Sequence, residues 1–177
     1  WSRFKKPFHL RCADVLESKT LEDALDALIG TPRSCTANFM IGQAQDTVID
    51  IELATDEYVQ ISPQGGVLSH ANHFMDPDSA EIIEPPNSRR YLSKFRHERM
   101  ETLLNERKPL DIKGIKKILK DHENHPQSIC RHPDPSLPSV QHTITKTGVI
   151  MDLDERKLWF TNGNPCENEF TEYSLLN

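Results

Sequence analysis

Residues 38–53 constrain the fold more than any other stretch of the chain. Asn38-Phe39-Met40-Ile41-Gly42 and Thr47-Val48-Ile49-Asp50-Ile51-Glu52-Leu53 have strand length and a high content of β-branched side chains. Gln43 to Asp46 is the turn between them. Glu57-Tyr58-Val59-Gln60-Ile61 reads as a third strand, and Gly65-Gly66 turns the chain into a fourth at Val67 to His70. Four strands in succession predict a meander.

Helices flank this run. Pro7 suits a first helical turn because it has no amide hydrogen to lose, and Phe8, Leu10, Val15 and Leu16 fit one side of the helix that follows. Thr20 caps a second helix, with Asp23 three positions on to complete the cap. Leu21, Ala24, Leu25 and Leu28 form its apolar stripe, and Gly30 stops it. A proline-rich polar crossing loop runs from Asp76 to Ser88. Ser88 opens a long helix with Tyr91, Phe95, Met100, Leu103 and Leu104 spaced for burial. Asp111 caps another, in which Ile112, Ile115, Ile118 and Leu119 share a side. After a loop from His122 to Ser139, Thr145 to Asp152 and Lys157 to Thr161 form a strand pair, and a last strand lies near Phe170-Thr171-Glu172-Tyr173. The order helices, strands, helices, strands favours an α+β layered domain with a largely antiparallel sheet.

At 177 residues the chain suits one domain. It has no apolar run of the roughly 18 residues that a membrane-spanning helix needs, so no membrane role is expected. A net charge of -6 argues against nucleic acid, since phosphate neutralisation needs a basic surface. Trp1 to Lys6 is not a signal peptide. The opening Trp1, in place of Met, leads to the expectation of a trimmed, processed or fragmentary chain. Cys12, Cys35, Cys130 and Cys166 are too scattered for a disulfide scaffold, which points to reduced thiols and a cytoplasmic protein.

Four constellations carry possible chemistry. His122, His125, Cys130, His132 and His142 offer zinc donors, but their spacing matches no closed structural site, so neither metal nor cofactor is assigned. The cations between Arg89 and Lys120 fall between apolar positions and are interrupted by acids, as on a solvated outer face. Cys35-Thr36 is either a self-processed N-terminal nucleophile or a small, semi-buried cysteine at a strand start. In Ser69-His70-Ala71-Asn72-His73-Phe74, the carboxamide of Asn72 is either an oxyanion donor or a turn residue bonding its own backbone.

Three segments then occur in order: His70 to Phe74, Arg96-His97-Glu98-Arg99-Met100-Glu101-Thr102-Leu103-Leu104, and Ser128-Ile129-Cys130-Arg131-His132-Pro133-Asp134. With Val149 to Leu153 and Gly163-Asn164-Pro165-Cys166-Glu167, this set resembles the C-terminal part of the isopenicillin N acyltransferase family of self-processing cysteine N-terminal-nucleophile (Ntn) hydrolases. The resemblance implies an αββα sandwich of mostly antiparallel sheets flanked by helices, with residues 1–177 as the C-terminal portion of a single domain. It implies a cysteine, freed by autoproteolysis, that attacks a small acyl amide or thioester and passes the acyl group to an amine or water. Asn72 would be the oxyanion-hole side chain, and His142 would stand where the family has an active-site arginine. His70, His73, Phe74 and Arg131 would line the substrate, although Arg131 also reads as a structural pin. Cys35 is too close to Asn72 in sequence to be the family's nucleophile. The expected partner is therefore a preceding segment or subunit that carries it. The alternative is a non-catalytic fragment or binding module with the same fold.

Overall fold

The computed structural model describes residues 5–45, 47–79, 81–83 and 90–175. They fall into two compact units, Trp1–His70 with Phe74–Asn87, and Ala71–His73 with Ser88–Asn177.

The first unit holds α1 (Phe8–Glu17), α2 (Leu21–Ile29) and an antiparallel sheet of β1 (Ala37–Gln43), β2 (Thr47–Leu53) and β3 (Tyr58–Ile61), in the order β1-β2-β3. β2 is central and pairs Phe39 with Ile51 and Ile41 with Ile49. Because successive strand residues face opposite ways, Ile49, Ile51 and Leu53 share one face. There they form the core with Leu28 of α2, backed by Val15, Leu21 and Leu25. The cap of α2 is as expected: the Asp23 amide donates to the Thr20 hydroxyl. Gly30 ends α2 without entering the left-handed region (φ −70°). Its value is close approach, since a Cβ there would lie 2.7 Å from the Asp26 carbonyl oxygen.

Two expectations change in this unit. The apolar side assigned to α1 reaches the core only through Val15, while Leu10 and Leu16 are exposed. The buried residue of α1 is Arg11, whose guanidinium donates to the carbonyls of Ala27, Leu28 and Pro32. A buried charge thus satisfies carbonyls that the end of α2 leaves open. The fourth strand does not form either. Gly65 and Gly66 turn the chain with φ 57° and 79°, but only the single bridge Gln64–Val67 closes across them. Beyond it the backbone turns to side-chain acceptors: the amides of Met75 and Asp76 donate to the Glu52 carboxylate.

The second unit holds α3 (Arg90–Glu106), α4 (Ile112–Leu119), a 3-10 turn at Ser139–Gln141, and an antiparallel sheet of β4 (Val149–Asp152), β5 (Lys157–Phe160) and β6 (Thr171–Ser174), in that order. Asp111 caps α4 as read, accepting from the Gly114 amide. Its core includes Leu103, Ile118, Cys130, Ile150 and Trp159. The strand pair is shorter than expected at its start, because Gly148 bonds Thr161 by amide and carbonyl and not through a regular ladder. The start of α3 at Ser88 lies outside the described residues. Tyr91, expected inside, is exposed, and the buried face of α3 carries Ser93, His97 and Leu103. The α+β class with antiparallel sheets is as the sequence predicts. Among the described residues no helix is long and apolar enough to cross a membrane.

Candidate functional site

Ser93 and His97 are buried on α3 because Ala71–His73 packs against that face. The Asn72 amide donates to the Ser93 hydroxyl at 2.7 Å, and His73 Nδ1 meets the same oxygen at 2.9 Å. The rings of His73 and His97 stand edge to face, 5.8 Å apart. One helical turn on from Ser93, Arg96 donates to Asn72 Oδ1 at 2.8 Å and to the Leu92 carbonyl. A guanidinium can only donate, so this contact fixes which end of the carboxamide is oxygen. The Nδ2 end, with two N–H donors, is left for another acceptor on an exposed side chain. The carboxamide oxygen of Asn72 is thus held by a side chain and not by its own turn.

Arg96 is no solvated-face cation. Burial, with Arg131 nearby, lowers its pKa to about 10, which leaves it charged at neutral pH. The surroundings of Asn72 are therefore positive. Arg131 is fixed through its backbone: its amide donates to Thr145 Oγ1 and its carbonyl accepts from Asn164 Nδ2 at 2.7 Å. His142 follows the 3-10 turn and its Nε2–H donates to the Leu137 carbonyl at 2.9 Å. Phe74 is half-buried.

His70 belongs to the first unit. Its Nε2 lies 2.8 Å from Glu52 Oε1 and 3.9 Å from Asp50 Oδ2. Sequence reasoning missed these two carboxylates. They lie on the face of β2 opposite Ile49 and Ile51, and both are buried. The available signal was the alternation itself, which places acids every second residue in an otherwise apolar strand. Burial raises the pKa of Asp50 against the opposing bond from Asn38 Nδ2. Burial alone would raise Glu52 too, but His70 and the amides of Met75 and Asp76 together hold it below its ordinary value.

A second cluster in the 71–73/88–177 unit unites two of the sequence motifs. The ligand atoms of His122, Cys130, His132 and Cys166 all lie within 4.8 Å of one another. His125 meets the His122 ring edge to face and the His132 ring at a tilt, and His142 is not among the converging donors. His122 is pushed down by burial and by His132 and His125, while burial and the Cys130 thiol push Cys166 up to about 11. Sequence spacing could not show this cluster, because Cys166 reaches it from a separate loop. Cys35, expected as a semi-buried cysteine if not a nucleophile, is exposed.

A family model described as acyl-coenzyme A:6-aminopenicillanic acid acyl-transferase matches residues 9–167. No curated protein matches the chain.

Proposed function

Since the chain belongs to the acyl-coenzyme A:6-aminopenicillanic acid acyl-transferase family, we propose that it forms part of a cysteine Ntn acyltransferase or amidohydrolase. In this reading the nucleophile is a cysteine with a free α-amine. Cys35 stands too close to Asn72 in sequence to match the family's nucleophile, so in this reading the nucleophile comes from a preceding segment or subunit. Its thiol proton passes to the α-amine as sulfur attacks the carbonyl carbon of a small acyl amide or thioester. The carbonyl electrons move to oxygen, and the Asn72 Nδ2 donors stabilise the negative charge. Collapse breaks the C–N or C–S bond, the leaving group takes the proton, and an amine or water then removes the acyl group.

The carrying observation is the Arg96–Asn72 bond, which orients the carboxamide before any substrate binds. Such preorganisation is what makes a donor effective in a transition state. In this reading His73 and Arg131 face substrate beside Asn72, while His70, held by Glu52, and Phe74 belong to the other unit. A catalytic part for His142 would use Nδ1, since its Nε2–H is held by Leu137.

In the complete protein, Asn72→Ala should lower kcat by about 100- to 1,000-fold with little loss of folding. Normal turnover by a folded variant would remove Asn72 from the mechanism. The second reading is a non-catalytic module of the same fold, in which His142 stands where the resemblance puts the family's active-site arginine. It predicts no release of amine or thiol from acyl amides and thioesters by the complete wild-type protein.

A further inference from the structure

We infer that His122, Cys130, His132 and Cys166 form a four-coordinate structural zinc site. A tetrahedral zinc with Zn–S of about 2.3 Å and Zn–N of about 2.0–2.1 Å sets its ligands about 3.8 Å apart for two sulfurs, about 3.3 Å for two nitrogens and about 3.6 Å for a mixed pair. Here the two Sγ atoms are 3.5 Å apart and the two Nε2 atoms 3.1 Å. His132 Nε2 lies 3.3 Å from Cys166 Sγ and 3.9 Å from Cys130 Sγ. Four of the six edges thus lie near those of one small tetrahedron, and all four ligand atoms fall within 4.8 Å of one another.

The backbone holds the donors in this arrangement. The Cys130 amide donates to the Asp121 carbonyl next to His122, and the His132 amide donates to the Pro126 carbonyl. Asn164 Nδ2 donates to the Arg131 carbonyl, tying the Cys130–His132 turn to the loop that carries Cys166. Glu167 places Oε1 3.8 Å from His132 Nδ1, beyond hydrogen-bond reach but close enough for its charge to favour a metal-bound imidazole.

Chemistry selects the ion. Two thiolates and two imidazoles favour zinc over the hard cations calcium and magnesium, which take oxygen donors. Two thiolates balance the 2+ charge, so binding releases the two thiol protons to solvent. Four protein ligands leave no open position, which makes the site structural. A disulfide accounts for the cluster less well: its S–S bond is about 2.05 Å, and it would give the two facing imidazoles no common partner.

The test uses the complete protein, reduced, stripped with a chelator and titrated with cobalt(II) and then zinc(II). Intense visible ligand-field bands with thiolate-to-cobalt charge transfer are expected, abolished by one equivalent of zinc per chain. Cys166→Ser should cut the charge-transfer intensity to about half, leaving the Cys130 thiolate, and weaken zinc binding by more than about 100-fold. Cys35→Ser should bind like the wild type. The wild-type cobalt spectrum decides even where a ligand variant fails to fold. A weak octahedral cobalt spectrum, zinc well below one equivalent, or a native Cys130–Cys166 disulfide in the mass spectrum would each overturn the site.

Discussion

Asp50 and Glu52 show how two like side chains on one strand face acquire opposite properties. Burial dominates at Asp50, so its folded pKa lies above the unfolded value of about 3.9. Its contribution to stability is fully present below that value and is lost as pH rises through the folded pKa. At Glu52 three donors outweigh burial, so its contribution is present above about pH 4.3 and is lost as pH falls through its depressed folded pKa. Asp50→Asn should therefore raise the melting temperature at pH 7, with the gain shrinking toward pH 4. Glu52→Gln should lower stability at pH 7 by about 1–3 kcal/mol, the cost of breaking buried hydrogen bonds, and should flatten the acid limb below pH 4. Thermal melts from pH 3 to 8 check both, and a stabilising Glu52→Gln would refute the hydrogen-bond account. The alternating acids are plain in the sequence. Their opposite shifts depend on where Asn38, His70 and the amides of Met75 and Asp76 end up.

Elements are readable to the extent that their determinants are local. Thr20 and Asp111 cap α2 and α4 as predicted, because a cap needs only residues three positions apart. Thr20→Ala should cost about 1 kcal/mol in urea unfolding; no loss would mean that packing alone defines the start of α2. Leu28 is fully buried against β2, so Leu28→Ala should cost about 2–5 kcal/mol. A much smaller loss in the same experiment would mean that the site collapses around the deletion. The faces of α1 and α3 were not legible. Arg11 is buried because carbonyls at the end of α2 need a donor, and Ser93 and His97 because Ala71–His73 needs polar partners. Apolar spacing does not report such needs.

At the scale of the whole molecule, charge and convergence matter most. Arg99 is paired with Asp121 and Glu123, Lys116 stands over the rings of Trp159 and Phe170, and Arg96 serves Asn72. These cations answer groups of the protein itself. With a net charge of -6, the protein should not retard a DNA or RNA oligonucleotide in a low-salt gel shift, where phosphate binding is strongest. A salt-sensitive shift would show a phosphate-binding face. The sequence by itself determined the α+β class, the central hairpin, the caps and the family, because each rests on short-range pattern or on an ordered set of motifs. Only the tertiary structure decided that Arg96 orients the Asn72 amide, that β2 buries two carboxylates, and that Cys166 meets His122, Cys130 and His132. Those contacts join residues far apart in the chain, and spacing along a sequence does not encode which distant loops meet.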